Sequence, residues 1–313
     1  MEHSQPLSSR NPVRLIAFIA LAIVLMVVLV LAACDRSSPA QVERVAAESP
    51  STPRIVALLP FAADQLIELG VTPVAVPLIR GNTPAAWEGI PRVTVDHSAG
   101  PNIEQLIAMG PDVVVTSSVY AQFVPAIESA TDARVVIMDV DSVDHVSQHI
   151  KDLGEIAGVP GDAADYAGSI ESRLGARDRA GDPIDVLGVF GTPHAFYAFL
   201  PDSYLGDLVA HAGGAMITGD MESHSVFRGL APLSMEVVLE RDPDLLLVVF
   251  HGSEDSARAM LEADALWSGL SAVQDERVVF LKDDLYAMRP GSELPRAMDE
   301  IREIIGDVRE QLR

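Results

Sequence analysis

The chain has 313 residues, with 22 Lys and Arg against 45 Asp and Glu, a formal net charge of -23. A phosphate backbone would be repelled by such a surface, so the composition excludes a nucleic-acid partner. The single cysteine excludes a disulfide framework and any Cys-rich zinc or iron–sulfur site.

Residues 15–33 are apolar and uncharged, preceded by Arg10 and Arg14 and followed by Cys34, Asp35 and Arg36. Length, position and basic flank fit a secretory signal. The string Leu31, Ala32, Ala33, Cys34 resembles a bacterial lipobox, in which the cysteine is lipidated and becomes the first residue of the mature protein. An uncleaved anchor is the alternative. Either way the remainder lies on the extracytoplasmic face of the cell membrane, because the positive charges precede the apolar run. Residues 34–53 are rich in Ser, Pro, Ala and Glu and read as a flexible tether.

From Arg54 short β-branched runs alternate with helical patterns. Strands are predicted at 55–59, 73–76, 93–95, 113–116 and 135–138, and helices at 63–69, 103–109 and 124–130. A long helical stretch follows over 143–179, interrupted near Gly158 and Pro160. Strands at 186–190, 245–250 and 278–281 then alternate with helices at 203–212, 235–240, 257–261 and 294–312. The pattern predicts an α/β protein: two Rossmann-like lobes with mostly parallel sheets, joined by one long helix, with a ligand cleft between them. The expected organisation is a signal peptide over 1–33, a tether over 34–53, a first lobe over 54–142, a connecting helix over 143–180 and a second lobe over 181–313.

An internal repeat supports the division. Glu104 is followed by Pro111, Asp112 and the strand Val113, Val114, Val115; Glu236 is followed at the same spacing by Pro243, Asp244 and Leu245, Leu246, Leu247. In each, a helix stops at the Pro-Asp pair and feeds a buried strand.

Parallel sheets bind ligands beyond the carboxyl ends of their strands. That rule selects 60–61, 78–82, 96–98 and 117–120 in the first lobe, and 191–196, 251–253 and 283–291 in the second. His97 and His251 each follow a strand directly, one per lobe. Arg80, Arg228 and Arg289 lie in cleft-facing loops and suit pairing with carboxylates. His145 and His149, four residues apart, share a helix face on which a divalent metal can be held, but position 146 is Val, so they do not form the metalloprotease motif. With no GxSxG elbow, no Gly-rich phosphate loop and no second cysteine, an enzyme reading has no constellation to rest on.

The stretches PRIVALLPFAADQLIELGVTPVAV, GPNIEQLIAMGPDVVV, SYLGDLVAHAGG and APLSMEVVLERDPDLLLVV together resemble the helical-backbone (class III) ABC-transporter substrate-binding proteins for iron chelates, heme and cobalamin. LLLVVFHGSEDSARAMLEADALW is most similar to the corresponding part of Gram-positive heme-receptor lipoproteins. The resemblance implies a monomer, lipid-anchored through Cys34, that captures heme and passes it to an ABC permease dimer and its ATPase without covalent change. It implies that His251 is an axial iron ligand. In those receptors the other axial ligand is a methionine just before the Gly-Pro that opens the first-lobe helix, where this chain has Ala99. His97, Tyr120, Tyr197 and Tyr286 are the candidates for that role, and Arg80 and Arg289 for the heme propionates. Glu104 and Glu236 match the glutamates that dock onto permease arginines. A ferric siderophore or cobalamin remains an alternative cargo, and an extracytoplasmic metal-dependent enzyme using His145 and His149 an alternative class.

Overall fold

The computed structural model describes residues 52–313, apart from 80–82, 97, 179–180, 193–194, 226, 289–292 and the side chain of residue 288. Cys34, Arg80, His97 and Arg289 therefore lie outside the described residues, as does the whole expected signal segment.

The first lobe runs β1 (Ile55–Ala57), α1 (Pro60–Glu68), β2 (Val76–Pro77), β3 (Arg92–Val93), β4 (Val95–Asp96), β5 (Gly100–Pro101), α2 (Ile103–Met109), β6 (Val113–Thr116), α3 (Val124–Thr131) and β7 (Arg134–Ile137). Strands β1, β6 and β7 form a parallel sheet, with Ile55 opposite Val113 and Val113 opposite Arg134. A single parallel bridge from Val56 to Ala75 leads on to the β2–β3 pair. Side chains alternate across the sheet. Val56 and Val114 pack with Leu106 and Ile127 on one face, while Ile55, Ala57, Val113 and Val115 pack with α1 on the other. A run of valines without polar alternation is what a strand covered on both faces requires.

Between the lobes lie α4 (Val143–Ala157) and α5 (Pro160–Leu174). The stretch expected as one connecting helix is thus two helices, broken at the interruption visible in the sequence. Gly158 closes α4 at φ 78°, a left-handed conformation that glycine adopts without penalty, and Pro160 opens α5. The helices fold back on each other: Lys151 reaches Glu171 at 2.9 Å, and a Cβ on Gly154 would stand 2.1 Å from the Ala163 methyl.

The second lobe comprises β8 (Ile184–Gly191), β9 (Phe196–Phe199), α6 (Tyr204–His211), β10 (Gly214–Met216), β11 (Leu230–Pro232), α7 (Met235–Arg241), β12 (Leu245–Phe250), α8 (Glu254–Ala263), α9 (Ser271–Gln274), β13 (Val278–Leu281) and α10 (Leu294–Gln311). Its sheet runs β11-β9-β8-β12-β13, with β10 beside the first half of β8. Strands β8, β10, β12 and β13 are parallel, whereas β9 pairs antiparallel with β8 and β11 antiparallel with β9, two additions that the alternating pattern did not predict. The chain reverses after β8 in a turn where the Thr192 N–H donates to the Ala195 carbonyl.

One continuous apolar cluster joins the lobes. It includes Leu66 of α1, Ile150 and Leu153 of α4, Ala167 and Ile170 of α5, Leu205 of α6, and Ile301 and Ile305 of α10. Polar ties reinforce it: the Arg302 guanidinium donates to the Leu174 carbonyl, and Arg309 pairs with Asp178 at 3.2 Å.

The repeat is also structural. Asp112 accepts the Arg54 N–H at 2.7 Å and Asp244 accepts the Asp185 N–H at 3.1 Å, so each Pro-Asp carboxylate ties down the start of the neighbouring strand. The residue before each proline, Gly110 or Asp242, is left-handed, with φ 54° or 40°.

Candidate functional site

Strand β12, an interior strand of the second sheet between β8 and β13, ends at Phe250, and His251 follows at once. The His251 N–H still donates to the Gly191 carbonyl at 2.8 Å, carrying the ladder one residue past the strand. On the other side of β12, Val249 pairs with Leu281 in parallel register. Continuing that register by two residues brings His251 beside Asp283, and the His251 Nδ1 lies 3.0 Å from the Asp283 Oδ2. The histidine side chain is 46% exposed and the aspartate 30%. Among the described residues no hydrogen-bond partner is found for the His251 Nε2.

Aromatic rings back this end of the sheet. Phe196 meets Trp267 edge-on at 5.5 Å and Phe250 at 6.4 Å. Gly191 permits the packing, since a Cβ there would stand 2.5 Å from Phe250 Cδ2 and 2.6 Å from Phe196 Cε1.

In the first lobe the carboxyl ends of β6 and β7 are stitched together, with Asp139 accepting the Ser118 N–H at 3.0 Å. Tyr120 follows in the same turn and is buried. Burial, with the Asp96 charge, raises the pKa of its phenol and keeps it protonated. Asp96 also accepts the N–H groups of Ser98 and Ala99 at 2.8 and 2.9 Å, which shapes the turn on either side of position 97.

The lobes meet through charged groups. Arg228, in the segment before β11, pairs with Asp141 after β7 at 3.3 Å. Burial raises the Asp141 pKa, with Arg228 opposing the shift. Tyr197 packs edge-on against His224 and Phe227 at 5.7 and 6.2 Å, just before Arg228 in the chain. Deeper in the junction Asp207 of α6 accepts the Val143 N–H at the start of α4 at 2.8 Å and pairs with Arg177 at 2.6 Å.

A family model described as periplasmic binding protein matches residues 55–285. The chain belongs to the periplasmic binding protein family. Among curated relatives, the high-affinity heme uptake system protein IsdE of Staphylococcus aureus is 22% identical over 293 residues, covering 91% of this chain and 96% of the relative. The solved structure of S. aureus IsdE complexed with heme superposes with a TM-score of 0.68 at 20% identity, over 81% of this chain and 98% of that one. The periplasmic vitamin B12 binding protein BtuF of Vibrio cholerae superposes with a TM-score of 0.67 at 20% identity, over 83% and 98%. The two-lobed fold read from the sequence is the fold of these proteins.

Within this periplasmic binding protein the expected site residues separate. His251 stands just past β12, Tyr197 in β9, and Tyr120 in the turn after β6, where it is buried. Tyr286 corrects the expectation: it is 1% exposed, with its hydroxyl donating to Glu300 at 2.9 Å, so it is a core residue held against α10 and its phenol does not face a ligand. Burial and the Glu300 carboxylate raise its pKa strongly.

His145 and His149 do stack, at 6.0 Å, but His145 accepts the Asp141 N–H at Nδ1 and His149 packs on Phe61. Burial lowers the His149 pKa. No group of three or more His, Cys, Asp or Glu suited to a metal ion occurs among the described residues. Glu104 and Glu236 are exposed in the first turns of α2 and α7, the helices related by the repeat. Among the described residues no helix is long and apolar enough to cross a membrane.

The sequence reading placed Asp283 at the start of a selected loop without giving it a role, and it assigned no role to Asp141 or Asp207. The available signal for Asp283 was two predicted strands with a histidine one residue past one and an aspartate two past the other; only the register joins them.

Proposed function

We propose that this protein is the extracytoplasmic receptor of an ABC importer and captures heme, an iron porphyrin, between its lobes. The observation that carries the reading is His251: a half-exposed imidazole immediately beyond β12, an interior strand of the second sheet, at the end where parallel sheets bind ligands. An imidazole nitrogen is a good donor to heme iron. The heme named for the IsdE relative supports the same cargo.

His251 supplies one axial donor. His97, Tyr120 and Tyr197 are the candidates for the second donor and for contact with the porphyrin, and Arg80 and Arg289 for pairing with the propionates. Residues 54–142 and 181–313 act as the two lobes and 143–180 as the connection. Residues 1–33 are removed on export, Cys34 carries the lipid, and 34–53 tether the receptor to the membrane. Glu104 and Glu236 dock a monomeric receptor onto basic residues of a permease dimer served by its ATPase. The cargo leaves chemically unchanged.

Titration with hemin tests the reading: wild type develops a Soret band at a one-to-one ratio, and His251→Ala weakens binding at least ~10-fold. Failure of the wild type to bind hemin, with uptake of cobalamin or a ferric siderophore instead, sinks the heme assignment.

A further inference from the structure

Most of the polar groups at the lobe junction serve packing: Asp207 anchors α4, and His145 and His149 are turned onto Asp141 and Phe61. The contact between His251 and Asp283 is different, because it joins two loops that each stand at the carboxyl end of a strand and it occupies only one nitrogen of the ring.

We infer that Asp283 is a positioning residue of the ligand site: its carboxylate holds the His251 ring with Nε2 directed to the bound iron and strengthens that nitrogen as a donor. This rests on the heme reading above and deepens it. At 3.0 Å from a carboxylate, the His251 Nδ1 carries the proton of the neutral ring, since an unprotonated nitrogen has nothing to donate to Asp283. The lone pair is then on Nε2, for which the described residues offer no other partner. Ligation by the neutral ring forms one iron–nitrogen coordinate bond from that lone pair.

Three features fix the geometry. The parallel register Val249 to Leu281 sets the two residues side by side. The His251 N–H to Gly191 bond holds the backbone of the histidine. Gly252 lets the chain turn immediately afterwards, since a Cβ at that position would stand 2.8 Å from the Phe250 ring. A carboxylate on the far nitrogen of a metal-bound histidine fixes the tautomer and raises ligand basicity, which favours the more highly charged metal. Asp283 therefore tightens heme binding and favours ferric over ferrous iron in the bound state. A purely structural role predicts neither effect, and an exposed pair of this kind contributes little to folding.

The test compares wild type with Asp283→Asn, Asp283→Ala and Asp283→Glu. Three quantities are read: hemin affinity by Soret titration, the midpoint potential of the bound heme, and the imidazole nitrogen shifts of His251 in ligand-free protein. The expected result for Asp283→Asn and Asp283→Ala is binding weakened ~10- to 100-fold, a midpoint potential moved to more positive values, and loss of the single Nδ1-protonated tautomer. Asp283→Glu recovers part of each. Unchanged affinity and potential in folded Asp283→Asn and Asp283→Ala, in a background where His251→Ala does lose hemin, overturn this inference and leave the heme reading standing. A wild type that takes up no hemin overturns both.

Discussion

Replacing Asp207 tests the junction between the lobes most directly. Its carboxylate accepts the Val143 N–H at 2.8 Å, is bonded by Arg177 at 2.6 Å and lies 3.5 Å from the His211 Nδ1, while its side chain is only 13% exposed. Burial alone would raise its pKa, but the bonds from His211 and the Val143 N–H, with the Arg177 charge, outweigh that and hold it below the usual carboxylate range. Asp207→Ala leaves the first N–H of α4 without its acceptor, a charge-assisted bond contributing about 1.5–3 kcal/mol. The Arg177 partner is 42% exposed, so screening limits that pair to about 1 kcal/mol or less. The expected loss is about 2–4 kcal/mol at pH 7, with Asp207→Asn recovering part of it through its amide oxygen.

The pH dependence has a fixed sign. A depressed pKa means that the contribution is complete above the unfolded value of about 3.9 and is lost as pH falls through the lower folded value. Urea unfolding at a series of pH values, followed by fluorescence of Trp87 in the first lobe and Trp267 in the second, measures the effect lobe by lobe. A loss below about 1 kcal/mol at pH 7, or a gap between parent and variant that persists undiminished well below pH 4, would refute the reasoning.

Two further substitutions probe the backbone. Gly154→Ala should destabilise by about 1–3 kcal/mol in denaturant unfolding despite the higher helix propensity of alanine, because the new methyl collides with Ala163 across the α4–α5 pair; a stabilised variant would show that the pair separates easily. Gly110→Ala meets no atom within 4 Å but must hold φ 54°, so a loss of about 1–2 kcal/mol with unchanged denaturant slope is expected. A neutral result there would mean that the end of α2 relaxes.

How far the sequence could be read follows from the range of each signal. The predicted helix at 103–109 matches α2 because its boundaries are local: the Asn102 side chain accepts the Gln105 N–H at the start and Gly110 ends it. The break at Gly158 was visible for the same reason, but nothing local says that α4 and α5 then fold back through Gly154 and Ala163. The strand Phe196–Phe199 is not predicted, with Phe196 falling at the end of the expected 191–196 loop, because a short apolar run carries no direction and its antiparallel pairing depends on β8. Tyr286 looked like a loop residue beside the cleft; packing against α10 put it in the core.

By itself the sequence determined the alternation of strands and helices, the two related lobes and the position of His251 just past a buried strand. Each of these depends on residues within a few positions of one another. Only the tertiary structure decided that Asp283 lies against that histidine, that Asp207 caps a helix 64 residues earlier in the chain, and that Arg228 reaches Asp141. These contacts depend on strand register and on how the lobes pack, and neither is encoded in any short stretch of chain.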